Sequence, residues 1–126
     1  MWTRQQLTKV TLPAGKYYIG DPCYAFSSDL YKKIWGEQFN YSNGYYTTGT
    51  SHFVVHGTAY GDGVFKASNQ TVFFVDSGSI CIASADIVTE NEAVYEFKVP
   101  VYVFMKNGLF QFNELEIDTG DNELED

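Results

Sequence analysis

Three acidic residues each lie beside glycine or proline at the end of an apolar run, and these are the positions where the sequence could do chemistry. The runs are Ile19-Gly20-Asp21-Pro22-Cys23-Tyr24, Ala59-Tyr60-Gly61-Asp62-Gly63 and Val75-Asp76-Ser77-Gly78-Ser79. A carboxylate in such a setting closes a tight turn by accepting backbone amides, and several such turns can line a binding site. We expect Asp21 to be structural and to accept the amide of Cys23, while Asp62 and Asp76 converge on one site. If an acid only closes its own turn, replacement by Asn should change stability little, because Asn keeps an acceptor oxygen.

A nucleotide is one ligand that such a site could take. Backbone amides of Gly61 to Gly63 and of Ser77 to Ser79 could form an anion nest, and a tyrosine ring could stack on the base. Two of the tyrosines belong to the polar segment 40–51, which predicts either a surface hairpin turning at Asn43-Gly44 or a recognition flap. The predicted ligand-binding residues are Tyr60, Gly61, Asp62, Gly63, Asp76, Ser77, Ser79, Tyr45 and Tyr46.

Metal and hydrolase chemistry would need His52 and His56 together with the acids. On a strand these imidazoles can share a face, but they would lie about 13 Å apart, too far to bind one ion. The chain has no Gly-x-Ser-x-Gly motif and no glycine-rich loop followed by Lys-Ser/Thr. We therefore predict no catalytic residue, no metal, no cofactor and no enzymatic activity.

The charge of the chain is concentrated at one end. The net charge is −8, and the residues after Lys106 hold seven of the sixteen acids and no base. The remaining body is nearly neutral, so it has neither the basic stripe of a nucleic-acid-binding protein nor the spread carboxylates of a DNA mimic. We predict one domain over residues 1–118 and an acidic, disordered tail over residues 119–126.

Composition also bears on the compartment. The chain has no run of about 18 apolar residues and no apolar N-terminal stretch of the signal-peptide type, so we expect a cytoplasmic protein without membrane contact. Cys23 and Cys81 lie in apolar surroundings and are expected to be buried thiols rather than a disulfide. The sequence leaves assembly into a homo-oligomer open.

The elements that would position these residues are mainly β. Strands are predicted at 8–12, 17–20, 53–60, 64–67, 71–75, 80–83 and 93–105, and the short connections between those after residue 53 require antiparallel neighbours. Asn107-Gly108 should turn the chain so that Met105 faces Phe110 and Val103 faces Phe112, with a bulge near Asn113. One helix is predicted from Asp29 to about Phe39, with an apolar stripe that packs on the sheet. The predicted fold class is mainly β (α+β), an antiparallel sandwich or small barrel with one covering helix.

The three motifs together resemble those of a group of small, mostly uncharacterised proteins encoded by bacteriophages and prophages. The likeness covers about residues 11 to 83 and rests on the Leu12-Pro13-x-Gly15-x-Tyr17-x-Ile19-Gly20-Asp21-Pro22-Cys23-Tyr24, Thr58-to-Gly63 and Val75-to-Ile80 stretches. The resemblance implies no particular activity. It implies a genetic setting, a short non-structural phage gene of the kind often used to disarm host defences inside the infected bacterium.

Three functions are consistent with these observations. The favoured one is a non-catalytic phage protein for counter-defence that intercepts a host factor, either a nucleotide-like immune signal or a host protein. The second is a structural or assembly protein in which every motif is only a turn. The third, a metal-dependent hydrolase using His56, Asp62 and Asp76, has the least support.

Overall fold

The computed structural model describes residues 2–49, 51–89, 94–98, 100–106 and 108–120. The strands, in chain order, are β1 (Thr3–Gln5), β2 (Lys9–Leu12), β3 (Gly15–Gly20), β4 (Gly44–Thr48), β5 (Ser51–Gly57), β6 (Gly63–Lys66), β7 (Val72–Val75), β8 (Ser79–Ser84), β9 (Val94–Phe97), β10 (Val101–Lys106), β11 (Leu109–Phe112) and β12 (Leu115–Asp118). Three helical segments complete the fold: the single-turn helix α1 (Pro22–Ala25), a π-helix (Asp29–Gln38) and a short 3₁₀ turn (Ala85–Ile87).

The strands form two sheets and a separate ribbon, and all the pairings are antiparallel. The larger sheet has the order β1-β4-β5-β8-β3-β9, the smaller sheet has the order β12-β11-β10-β2, and β6 pairs with β7. Neither sheet closes on itself, so the fold is an α+β sandwich and not a barrel. This confirms the predicted fold class.

The larger sheet is covered on both faces. Alternate residues of β5 show this, because Val54 belongs to a core shared with the smaller sheet and the ribbon, whereas Phe53 and Val55 belong to a core shared with the helices. On β8, Ile80 and Ile82 belong to the first core. Burial of both faces explains why β5 and β8 are apolar along their lengths rather than alternating.

The predicted helix is present, and its apolar side packs as expected. Leu30 and Trp35 are buried in the second core, while Lys32, Lys33 and Glu37 are exposed. Ser27 provides the cap, because its Oγ accepts the amide of Leu30 at 3.2 Å. The winding is that of a π-helix rather than an α-helix, a form that is rare over ten residues. No helix in the part of the chain that the structure describes is long and apolar enough to cross a membrane.

The predicted hairpin turn at Asn43-Gly44 is wrong. Gly44 already begins β4, and the hairpin between β4 and β5 turns after Thr48, which pairs with Ser51. Asn43 instead links distant parts of the chain: its Oδ1 accepts the amide of Gly57 at 3.0 Å, and its carbonyl oxygen accepts the Arg4 side chain. These long-range contacts outweigh the local turn preference of the Asn-Gly pair.

The long predicted strand over residues 93–105 is divided at Pro100. Its first part, β9, pairs with β3 in the larger sheet, whereas β10 pairs with β2 in the smaller one. Proline has no amide to donate to a ladder, which explains the break. Of the predicted strand, Ala93 and Val99 lie outside the described residues.

The C-terminal hairpin has the predicted register, with Met105 opposite Phe110 and Val103 opposite Phe112. The predicted bulge near Asn113 is wrong. Asn113 adopts a left-handed backbone conformation with φ of 53° and begins a second turn, after which β12 pairs antiparallel with β11. This turn, rather than a bulge, accounts for the change of parity at Leu115 and Ile117.

The folded body continues beyond the boundary predicted at residue 118. Thr119 is fully buried, and its Oγ1 donates to the carbonyl of Gly108 at 2.5 Å and accepts the amide of Ala59 at 3.0 Å. Thr119 therefore belongs to the domain and not to a disordered tail. The rest of the predicted tail, residues 121–126, lies outside the described residues.

Candidate functional site

The carboxylate of Asp21 joins the first and third motifs. Its Oδ1 accepts the amide of Cys23 at 2.8 Å, which is the predicted local turn and also caps α1. Its Oδ2 accepts the amides of Asp76 at 2.5 Å and Ser77 at 2.8 Å, and Ser77 Oγ donates to Oδ1 at 2.7 Å. The Asp21 side chain is only 1% exposed. Asp21 is thus structural, but it holds together two motifs that are 55 residues apart in the chain.

The second motif lies against the third. The amide of Thr58 donates to the carbonyl of Gly78 at 2.9 Å, and Thr58 Oγ1 donates to the carbonyl of Gly61 at 2.5 Å. Gly61 and Gly78 both have φ near 80°, a left-handed conformation that glycine adopts without strain. A Cβ added at Gly78 would lie 3.6 Å from Asp62 Oδ1. The left-handed turns that these two glycines allow therefore place the second motif against the third, with Asp62 beside Gly78.

The groups that this assembly presents to solvent are carboxylates and phenol rings. Asp62 and Asp76 are exposed, and the hydroxyl of Tyr24 donates to Asp76 Oδ2. Tyr24 and Tyr60 are each 46% exposed. Among the described residues the ion pair found joins Lys33 and Asp29, so neither Asp62 nor Asp76 has a cationic partner there. We call Tyr24, Tyr60, Asp62 and Asp76 the acidic-tyrosine surface.

Cys23 lies beside this surface and is held as a thiol. Burial is the largest cause that raises its pKa, to about 12, followed by Asp21 and then by the charges of Asp76 and Asp62. A nucleophilic cysteine needs the opposite, a pKa lowered by a nearby cation or helix terminus. Ser77 likewise donates to a carboxylate and to no imidazole. The arrangement favours binding over covalent catalysis.

The two histidines contact groups outside the three motifs, and the charge of His52 is among the causes that lower the pKa of Asp86. His52 Nε2 lies 2.9 Å from the hydroxyl of Tyr17, which already donates to the carbonyl of Pro13, so the imidazole is the donor in this pair. His56 Nδ1 contacts the carbonyl of Gly57. No group of three or more His, Cys, Asp or Glu side chains in the described ranges is arranged to hold a metal ion.

The predicted anion nest at the third motif is wrong, because the protein fills it with its own carboxylate. The amide of Ser77, expected to face a phosphate, donates to Asp21. Ser79 is buried at the start of β8, where it pairs with Gly57, and its amide donates to Ser77 Oγ at 3.3 Å. A phosphate at this turn would compete with a bound carboxylate and meet like charge.

Two of the predicted stacking tyrosines are elsewhere. Tyr46 is fully buried, and its ring stacks on Phe53 with centroids 4.5 Å apart, so the prediction that it contacts a ligand is wrong. Tyr45 is half-buried on β4 and packs against the first core, with its ring 6.3 Å from that of His52. The alternation of side chains along β4 separates the two rings. The structure thus gathers Tyr60 to Gly63 and Asp76 to Ser77, and leaves Tyr45, Tyr46 and Ser79 outside the exposed surface.

Sequence reasoning missed Tyr24 and Tyr31 as members of the assembly. Tyr24 is the last residue of the first motif, which therefore carried a signal for it. Tyr31 lies on the π-helix, and burial raises its pKa, with smaller contributions from Cys23 and Asp21 nearby. Its position depends on how the helix crosses the sheet, which no local pattern specifies.

Comparison of the chain with models of protein families, with curated proteins and with solved structures found no match.

Proposed function

We propose that the chain is a non-catalytic binding protein of bacteriophage origin that intercepts a host factor through the acidic-tyrosine surface. The observation that carries the proposal is the convergence of three motifs from distant parts of the chain. The carboxylate of Asp21 is buried and used in the hydrogen bonds that hold the turns together, whereas Asp62 and Asp76 remain exposed without cationic partners among the described residues. A scaffold alone does not require two carboxylates on adjoining turns to remain exposed without a cationic partner.

The chemistry of the surface defines what the factor must offer. Carboxylates accept hydrogen bonds and attract cations, and tyrosine rings present flat faces that attract guanidinium and ammonium groups. Two kinds of host factor meet this requirement: a host protein with an exposed arginine or lysine, or a nucleotide-like immune signal that binds through ribose hydroxyls and base N–H groups. In the second case the phosphates must lie away from the turn that Asp21 fills.

The test is a comparison of matched carboxylate variants in bacteria that carry an immune system. The chain, when expressed, should raise the plating efficiency of a phage that the immune system restricts, and the double variant Asp62→Asn/Asp76→Asn should lose this effect. Glu37→Gln is the control, because Glu37 is an exposed carboxylate on the outer side of the π-helix. Mass spectrometry of molecules released when the purified proteins are denatured should find the factor with the wild type and the control, but not with the double variant.

Retention of plating and of the released factor by the double variant would contradict the proposed surface. Equal plating with and without the wild-type chain, across immune systems of several classes, would instead support a structural or assembly protein whose motifs are only turns.

A further inference from the structure

A cavity lies away from the three motifs, at the open edge of the sandwich. It has a volume of about 600 Å³ and lies where β9, the last strand of the larger sheet, faces the turn between β11 and β12. The turn between β6 and β7 covers one side, held there by the amide of Ser68, which donates to the carbonyl of Glu116 at 2.8 Å. The cavity is within the size range of small-molecule sites.

The walls of the cavity are aromatic and aliphatic. Tyr95 and Phe97 lie two residues apart on the inner face of β9, and their rings are nearly parallel, with 27° between the planes and centroids 6.5 Å apart. Phe112, which is 1% exposed, forms the inner end, and Leu115 lines the opposite side. Aromatic rings that border a cavity favour a flat ligand, which can stack on them, over a branched aliphatic one.

The rim supplies both kinds of hydrogen-bonding group. Asn69 and Asn113 each use the side-chain oxygen within the protein, to accept the amides of Thr71 at 3.0 Å and Tyr102 at 3.2 Å. Their NH₂ groups donate to no other described residue, so they remain as donors for a ligand. The carboxylate of Glu114 is the charged group among the described residues that line the cavity, and it is an acceptor.

We infer that this cavity binds a flat, neutral or cationic heteroaromatic ring that carries an N–H donor, of the size of a purine. The ring lies against Tyr95 and Phe97, its exocyclic N–H faces Glu114, and its ring acceptors face the rim amides. Glu114 disfavours an anionic ligand at the same place. The inference is independent of the proposed function, because no residue of the acidic-tyrosine surface lines the cavity.

The probe for the test is 2-aminopurine, whose fluorescence is quenched when it stacks on an aromatic ring. We expect saturable quenching by the full-length protein, and at least about tenfold weaker binding by Phe97→Ala. Because Phe97 also packs against the first core, Phe97→Leu serves as a second variant that keeps most of the volume. It should retain the melting temperature but bind 2-aminopurine more weakly than the wild type, since one of the two rings against which the ligand lies is lost.

Glu114→Gln tests the polar part of the inference. It should weaken 2-aminopurine by about tenfold and leave unsubstituted purine unchanged. Glu116→Gln is the matched control, because Glu116 is an exposed carboxylate of β12 that accepts from Gln111 and does not line the cavity. Three results would overturn the inference: no saturable quenching, an affinity for 2-aminopurine that Phe97→Leu leaves unchanged, or equally tight binding of the anionic ring 2-naphthoate, which would show an unselective apolar cleft.

Discussion

Replacement of Asp21 by Asn should destabilise the protein although the side chains have the same shape. Each carboxylate oxygen of Asp21 accepts two hydrogen bonds: Oδ2 accepts two backbone amides, and Oδ1 accepts one backbone amide and the Ser77 hydroxyl. Asn would place an NH₂ group against one of these pairs of donors. The better orientation places it at the Oδ1 side, where the hydroxyl can rotate to accept but the amide of Cys23 cannot.

The loss of stability on replacing Asp21 by Asn can be estimated from the hydrogen bonds that are weakened and from the donors that are left facing each other. A hydrogen bond to a charged group contributes about 1.5–3 kcal/mol, and a buried donor left without a partner costs about 1–3 kcal/mol. Asn keeps two neutral hydrogen bonds and leaves at least one amide facing a donor. We therefore expect the free energy of unfolding to fall by about 2–4 kcal/mol, which corresponds to a decrease in Tm on the order of 10 °C. The exposed replacements Asp62→Asn and Asp76→Asn should stay within about 0.5 kcal/mol.

Urea unfolding followed by tryptophan fluorescence measures this directly, because Trp35 is buried in the second core. Ser77→Ala, measured alone and with Asp21→Asn, adds a double-mutant cycle. The two losses should not be additive, since the residues share a hydrogen bond. A change below about 0.5 kcal/mol for Asp21→Asn would refute the reasoning, and would return Asp21 to the interchangeable turn residue expected from sequence.

Three further predictions follow from groups beside the site and at the domain boundary. The pKa of Cys23 is raised to about 12, so iodoacetamide at pH 8 should alkylate this thiol far more slowly in the native protein than in urea. Mass spectrometry measures the two rates, and equal rates would contradict the assignment of Cys23 as a protonated thiol. Stability should be constant up to about pH 9 and fall toward pH 12. In the unfolded chain the pKa of Cys23 is 9.0 and that of Tyr17 is 10.0. Folding raises both pKa values to about 12, so the folded state binds these protons more tightly than the unfolded state. Urea unfolding curves that do not change between pH 8 and 11 would refute this prediction. Ending the chain at Gly120 should change stability by less than about 0.5 kcal/mol. Ending it at Asp118 should cost about 1–3 kcal/mol more because the buried Thr119 and its three hydrogen bonds are lost.

Local patterns predicted the strands better than the order in which they pair. The turn signal at Asn107-Gly108 predicted the register of β10 and β11. The breaks at 61–63, 68–70 and 76–79 separate four strands as predicted, but β5 ends at Gly57 rather than Tyr60. β6 and β7 pair as their short connection predicts, whereas β5 pairs with β8 and not with β6. The failures have different causes. At Asn43 a distant partner, Gly57, outweighed the local turn preference. Pro100 and Asn113 acted locally, since a proline without an amide interrupted the predicted strand and a left-handed asparagine began a turn where a bulge was predicted.

The site was predictable in its parts and not in its arrangement. Each motif was visible because glycine or proline beside an acid is a turn signal. That the amides of Asp76 and Ser77 would meet Asp21 depends on β8 pairing with β3, which places the turn before β8 beside the end of β3. The burial of Tyr46 depends in the same way on the helix that covers one face of β4.

Because Asp21 already occupies the anion-binding turn of the third motif, the exposed acids Asp62 and Asp76 define what this surface can bind. A turn that offers two amides and a hydroxyl would bind an anion from solvent, and here an internal carboxylate takes that place. The turn is thereby fixed in one conformation, and the side chain of Asp76 is directed to the surface, where Tyr24 donates to it. Asp62 lies beside the same turn because the left-handed conformations of Gly61 and Gly78 shape the two loops that pack together. A turn that could have bound an anion therefore supports a surface of hydrogen-bond acceptors instead. A ligand that binds this surface must supply hydrogen-bond donors or positive charge.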